Sequence, residues 1–287
     1  MRPDASWVDR SAYPFQSRYL SLSAGEMHYV DEGAGDPVLL VHGTPTWSFE
    51  YRHLIAALSK HHRCIAPDRL GLGLSERPAG FAYTPEAHAA VLGEFVERLG
   101  LDRFTLVVHD FGGPIGLPLA LAANSPVQKL VILNSLAWPL NDDKLARGAR
   151  IAGGPVGRWL YKYANASQTL IMPSAYGDKA KLTKVIHQQY LSVFRDREAR
   201  VQVLHALAKA LLASREHYQG LLDALPSLRI PALLLWGMKD SAFRPDQLAR
   251  WQSLLPHAAT VALAGSGHWP HEEDPARVVE EIERFLD

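Results

Sequence analysis

Apolar residues recur along this chain in two periods. Short apolar runs closed by Gly, Pro, Asn or Asp read as strands: Glu26 to Val30, Pro37 to His42, Arg63 to Pro67, Arg103 to Val108, Lys129 to Asn134, Ala232 to Trp236 and Thr260 to Ala264. Helical spacing fills the intervals at Trp47 to Leu58, Pro85 to Leu99, 114–124, 245–255 and Pro275 to Leu286. Such alternation predicts an α/β fold, a mostly parallel doubly wound sheet with helices on both faces. From Leu136 to roughly Pro226 the strand signals vanish. Helical stretches such as Lys179 to Phe194 and Ala199 to Leu212 replace them, with many aromatic and basic residues. The expected organisation is a core over 1–135, an inserted helical lid over 136–226 and the rest of the core over 227–287. A lid there would cover the carboxyl ends of the strands, where open α/β sheets bind ligands.

Composition narrows the setting. Of 287 residues, 47% are hydrophobic and 21% charged, ordinary for a globular enzyme. Lys plus Arg and Asp plus Glu are both 30, so no net basic field favours nucleic acid or an anionic membrane, and neither is expected as a partner. Cys64 has no second cysteine to pair with, and Met1 to Trp7 lacks the apolar core of a signal peptide. No run approaches the roughly 20 apolar residues of a membrane span. The expected location is cytoplasmic. Oligomeric state is left open.

The chemistry concentrates at Leu106-Val107-Val108-His109-Asp110-Phe111-Gly112-Gly113. A buried strand runs into a tight turn of small residues and a helix, the setting of the G-x-S-x-G nucleophile elbow. Asp110 stands where that elbow carries serine. An ordinary aspartate, with a pKa of about 4, is already ionised at neutral pH. It can attack an electrophilic carbon directly and leave an ester of its own side chain. In α/β-hydrolases the partners follow in the order nucleophile, acid, histidine. Asp240, just past the strand ending in Trp236-Gly237, and His268, in Gly265-Ser266-Gly267-His268-Trp269, occupy those places. No acid follows strand Lys129 to Asn134, which favours Asp240 as the acid. His268 would activate a water, and the backbone N–H groups of Thr44 and Phe111 would form the oxyanion hole.

His42-Gly43-Thr44-Pro45-Thr46-Trp47-Ser48-Phe49, Pro67-Asp68-Arg69-Leu70-Gly71-Leu72-Gly73-Leu74-Ser75, His109 to Gly113, Trp236 to Asp240 and Gly267-His268 together resemble the haloalkane dehalogenase family, over nearly the whole chain. The resemblance implies an α/β-hydrolase fold, a covalent alkyl-enzyme ester and a small apolar halogenated or related substrate, with water as the second reactant. It implies no cofactor and no metal. Two positions depart from the family. Its halide-holding tryptophan after the nucleophile is Phe111 here, and its loop asparagine is Thr44. The expected apolar pocket is lined by Trp47, Phe111, Trp138, Trp159 and Tyr218, with Trp138 or Trp159 able to supply a replacement donor. No arginine stands beside the nucleophile, which disfavours small haloacids.

Two other readings stay open. Epoxide hydrolases share the aspartate elbow and use lid tyrosines to protonate the opening ring; Tyr161, Tyr163, Tyr176, Tyr190 and Tyr218 are available, with Tyr218 best placed. A non-catalytic ligand receptor on the same fold is the third. Other motifs read as structural. Asp110-Phe111-Gly112 has no kinase context, and His268-Trp269-Pro270-His271 is a poor zinc site. Asp68 reads as a turn residue. His217 reads as solvated or packing.

Overall fold

The computed structural model describes residues 5–141 and 144–287. Eight strands form one sheet: β1 (Arg18–Leu22), β2 (Gly25–Glu32), β3 (Pro37–Val41), β4 (Arg63–Pro67), β5 (Phe104–Asp110), β6 (Val127–Ser135), β7 (Ala232–Gly237) and β8 (Ala259–Leu263). Their order is β1-β2-β4-β3-β5-β6-β7-β8. β1 and β2 pair antiparallel, β2 joins β4 antiparallel, and every pairing from β4 to β8 is parallel. β1, Arg-Tyr-Leu-Ser-Leu, has no continuous apolar run for periodicity to find, whereas β8, an edge strand with the same exposure, carries Val-Ala-Leu. The central strand β5 is buried at all seven positions, as expected of a parallel strand covered on both faces.

Between β6 and β7 the described residues form helices joined by short loops and no strand, including Lys144–Gly153, Lys184–Val193, Ala206–Ala213 and Arg215–Ala224. The helix expected from Lys179 begins later. A short 3₁₀ turn occupies Lys179–Lys181, and Thr183 caps the α-helix by accepting from the Ile186 N–H. Among the described residues no helix is long and apolar enough to cross a membrane.

Helix Gly112–Leu121 contains Pro118, which lacks the N–H that would bond the Pro114 carbonyl one turn back. His217 Nε2 donates to that carbonyl at 2.7 Å. The inserted segment is thereby pinned to the helix that follows Asp110, and the neighbouring Tyr218 is aimed at the carboxyl end of β5.

The turn into this helix leaves no room for side chains. A Cβ on Gly112 would stand 2.0 Å from the Val41 carbonyl oxygen, and one on Gly113 would stand 1.9 Å from Ser135 Oγ. Helix propensity alone would favour Gly112→Ala by about 1 kcal/mol. Contact with the β3 backbone outweighs that gain, because overpacking costs roughly 1–3 kcal/mol and backbone cannot rotate away. Gly112→Ala should therefore lower the free energy of urea unfolding by about 1–3 kcal/mol; unchanged stability would show that β3 yields.

Candidate active site

Asp110 ends β5 with a φ of 49°, a left-handed conformation that a non-glycine residue adopts only when its surroundings enforce it. Ser135 Oγ donates to its carbonyl at 2.7 Å, and the Thr44 N–H donates to Oδ1 at 2.8 Å. The residue is 8% exposed and lines a cavity of about 350 Å³. His268 Nε2 lies 3.6 Å from Asp110 Oδ2, an ion-pair distance slightly beyond a hydrogen bond. On the other side of the ring, His268 Nδ1 lies 2.7 Å from Asp240 Oδ2. The three side chains, from the ends of β5, β7 and β8, thus meet in one chain of contacts, with Asp110 and His268 at the cavity wall and Asp240 behind them.

Asp240 is fully committed. The Ala242 N–H donates to its Oδ1 at 2.7 Å, and Asn134 Nδ2 donates to Oδ2 at 2.9 Å. Burial works against its charge, but His268 and these donors hold its carboxyl below the usual range. Asn134 occupies the strand end where the sequence shows no acid, and it also bonds Gly237 in both directions. Burial likewise opposes a charge on His268. The Asp240 and Asp110 carboxylates outweigh it and raise the imidazole to about 10.

Beneath the elbow lies a second buried group that the sequence reading missed. His109 Nε2 contacts the His268 carbonyl oxygen at 2.8 Å, and its Nδ1 contacts Glu50 Oε1 at 3.1 Å. Glu50 also accepts from the Gly43 N–H and the Thr46 hydroxyl. Burial opposes its charge, yet His109, His271 and His42 bring its carboxyl down to about 2. Glu50, His109 and His271 place three potential ligand atoms within 4.8 Å of one another. The Glu50 carboxylate and His109 are already engaged by backbone and side chain, so the group ties the loops before and after the nucleophile together.

Arg69 is the other residue whose role the sequence reading missed. It is 1% exposed, and its Nη2 donates to the Gly43 carbonyl at 2.7 Å and to Thr44 Oγ1 at 2.8 Å. Its Nε and Nη1 have no hydrogen-bond partner. Burial lowers it to about 10 against the opposing pull of Asp110 and Glu50. An arginine therefore does stand near the nucleophile, but behind Thr44 and outside the cavity wall. Asp68, beside it, accepts from His28, the Ser48 N–H and the Leu74 N–H, and is structural.

Of the pocket residues expected from sequence, Phe111 and Tyr218 line the cavity and the three tryptophans do not. Trp47 is buried among Trp7, Tyr13 and Phe49, because its strand-to-helix loop turns it toward the N-terminal segment. Trp138 packs on Trp251 under Arg250 and donates to Gln247. Trp159 is 59% exposed against Tyr163. None of the three lines the cavity, where a departing anion would need a donor. The remaining tryptophan at the wall is Trp269, edge-on to His268 at 4.5 Å.

Among the tyrosines between β6 and β7, Tyr161 also lines the cavity. Tyr176 and Tyr190 are buried elsewhere, Tyr190 bonding Glu272, and Tyr163 is exposed. The Tyr218 hydroxyl is buried without a partner, and burial followed by Asp110 pushes its pKa up.

The inserted segment is also fastened to the histidine loop. The His268 N–H donates to the Ala175 carbonyl at 2.9 Å. Glu273 accepts from both the Gly267 N–H at 2.8 Å and the Asp178 N–H at 3.0 Å.

Residues 36–275 match the family model for the α/β-hydrolase fold. Haloalkane dehalogenase 2 of Mycobacterium tuberculosis is 39% identical over 281 residues, covering 96% of this chain and 97% of that protein. A cis-3-alkyl-4-alkyloxetan-2-one decarboxylase of Shewanella oneidensis is 32% identical over 95% of this chain and 89% of its own length. Among solved structures, a haloalkane dehalogenase loop variant from Bradyrhizobium elkanii superposes with a TM-score of 0.84 at 23% identity, covering 95% of this chain and 96% of that one. An epoxide hydrolase gives a TM-score of 0.80 at 24% identity, over 95% and 98% of the two chains. At those identities the two structures speak to the fold. The sheet order, the matched family and the full-length relatives together show that this chain is an α/β-hydrolase enzyme belonging to the haloalkane dehalogenase family.

Proposed function

We propose that the enzyme cleaves a carbon–halogen bond in an apolar alkyl substrate, with Asp110 as nucleophile and His268, held by Asp240, as the base. The observation that carries this reading is the asymmetry of the Asp110 carboxylate. Oδ1 is held by the Thr44 N–H, while Oδ2 faces His268 at the cavity wall. Oδ2 attacks the carbon, the carbon–halogen bond breaks, and halide departs with the electron pair. A water then attacks Cγ of the ester and passes its proton to His268 Nε2. Negative charge builds on Oδ1 between the N–H of Thr44 and that of Phe111, a helix-start amide with no intrahelical acceptor. Collapse releases the alcohol and restores the carboxylate, so one alkyl halide and one water give alcohol, halide and a proton. In this reading the segment 136–226 acts as the lid between core parts 1–135 and 227–287. The names of the two relatives point to halogenated alkanes and dialkyl oxetanones, which fits the apolar cavity.

Against burial, Asp240 and then Asp110 raise His268 to about 10, which leaves it cationic and a poor base at neutral pH in the resting enzyme. Ester formation removes the charge on Asp110 and with it one of the interactions raising the imidazole. The first step therefore lowers the imidazole toward the range in which it can accept a proton. Asp110→Asn mimics the loss of charge, and His268 in that variant should titrate below the wild-type midpoint when followed by nitrogen-15 NMR. An equal midpoint would sink the coupling.

Thr44 can replace the donor that Phe111 lacks. Its Oγ1 accepts from Arg69, so the hydroxyl proton is left to donate into the cavity, polarised by the cation behind it. Thr44→Val keeps the shape and the backbone N–H and removes only that proton. Losing a hydrogen bond to a departing anion should slow ester formation roughly ten- to hundredfold, more for chloride than for iodide. Equal slowing across leaving groups in single-turnover kinetics would count against the assignment.

Tyr218 favours epoxide opening as a second reading, because its unpartnered hydroxyl remains a proton donor inside the cavity. Chloro-, bromo- and iodoalkanes assayed for halide, with epoxides assayed for diol, separate the two. Halide release lost in Asp110→Ala, with His268→Phe accumulating an alkyl ester visible by intact mass, is the expected outcome. Diol formation that needs Asp110 and Tyr218, without halide release, would give the site to epoxides.

A further inference from the structure

Among the described residues, the large apolar side chains left more than half exposed all lie between β6 and β7. Ile151, Val156, Trp159, Tyr163, Leu170 and Ile171 are 51–62% exposed within 21 residues of chain, and Val185 follows. Residues 144–177 also carry Lys144, Arg147, Arg150, Arg158 and Lys162 and not one Asp or Glu; Asp142 and Asp143, directly before, lie outside the described residues. The balanced whole-chain charge therefore conceals a local excess. Glu198 pairs with Lys162, while Arg197 adds a further cation over the Tyr163 ring at 5.8 Å. The patch borders the opening of the cavity: Lys144, Gly148 and Ile171 are exposed and also line it.

We propose that this face docks on an anionic phospholipid surface and that the alkyl substrate enters the cavity from the lipid. The alternation of basic and apolar residues decides the kind of partner. Protein interfaces concentrate apolar side chains at a core depleted of charge. A two-fold contact with a second copy would also set this cationic patch against itself. At a bilayer the same mixture is matched, with Trp159 and Tyr163 at headgroup depth, Ile151 and Val156 against acyl chains, and Lys and Arg on lipid phosphates. Docking itself stands apart from the chemistry. Only the substrate class, an alkyl compound that partitions into lipid, rests on the proposed reaction.

The test is co-sedimentation of the full chain with phosphatidylcholine vesicles, with and without phosphatidylglycerol. Binding should require phosphatidylglycerol and weaken as salt is raised. Arg147→Glu with Arg158→Glu should reduce partitioning on the order of thirtyfold or more, taking about a fivefold effect per basic residue. Val156→Ser with Trp159→Ser should reduce it roughly tenfold. Neither pair lines the cavity, so both should keep the wild-type melting temperature. Absence of vesicle binding, equal binding to neutral vesicles, or binding indifferent to both double variants would overturn the proposal. So would a dimer in sedimentation velocity that Trp159→Ser dissolves. Binding to anionic vesicles by a protein that releases no halide would uphold the docking face and remove only the halogenated substrate.

Discussion

Most of this structure is arranged around holding one residue, Asp110, in a backbone conformation it would not choose. The turn at φ 49° is retained because three layers converge on it: β3 below, through the Thr44 amide; β6 alongside, through Ser135; and the following helix, whose first glycines pack directly on the β3 backbone and the Ser135 side chain. A left-handed non-glycine residue costs of order 1 kcal/mol or more. The parallel sheet offsets this with a strand buried along its whole length. The same constraint sets the direction of the carboxylate, one oxygen on a backbone donor and the other toward the imidazole.

Electrostatics then divide the site into a front and a back. In front, two carboxylates share one imidazole, and that of Asp240 is immobilised by Asn134 and the Ala242 amide. Behind, the Arg69 guanidinium and the Glu50–His109 pair supply opposite charges in a region without solvent. Neither of these lines the cavity. Each reaches it through a backbone or side-chain intermediary, Arg69 through Thr44 and His109 through the main chain of His268. A buried charge is expensive unless compensated. The compensating contacts of these groups fall on Gly43, Thr44 and His268, in the loops beside the elbow.

The fold was largely legible from periodicity because seven of the eight strands carry short apolar runs, continuous in the parallel strands buried on both faces. β1 was not, since Arg18 and Ser21 interrupt its apolar positions. The meeting of Asp110, Asp240 and His268 followed from strand-end positions together with the order nucleophile, acid, histidine. The pocket did not, because the direction of a large side chain depends on packing. Trp47 and Trp138 turned into aromatic clusters, and Trp159 turned to the surface. Glu50 was invisible for a related reason: a glutamate within helical spacing reads as a solvent-facing residue, and here it is wholly buried. Total charge misled in the same way, since equal counts of 30 and 30 say nothing about where the charges sit.

The Glu273 carboxylate grips Gly267 and Asp178 at once, and the His268 amide holds the Ala175 carbonyl. Residues 175–178 and the histidine loop are consequently a single mechanical body. A displacement of that stretch would carry the imidazole of His268 away from Asp110, so an opening along this edge would separate the two. The cavity mouth bordered by Lys144 and Gly148 belongs to a different helix, so exposure of the cavity and placement of His268 fall on different parts of the chain between β6 and β7.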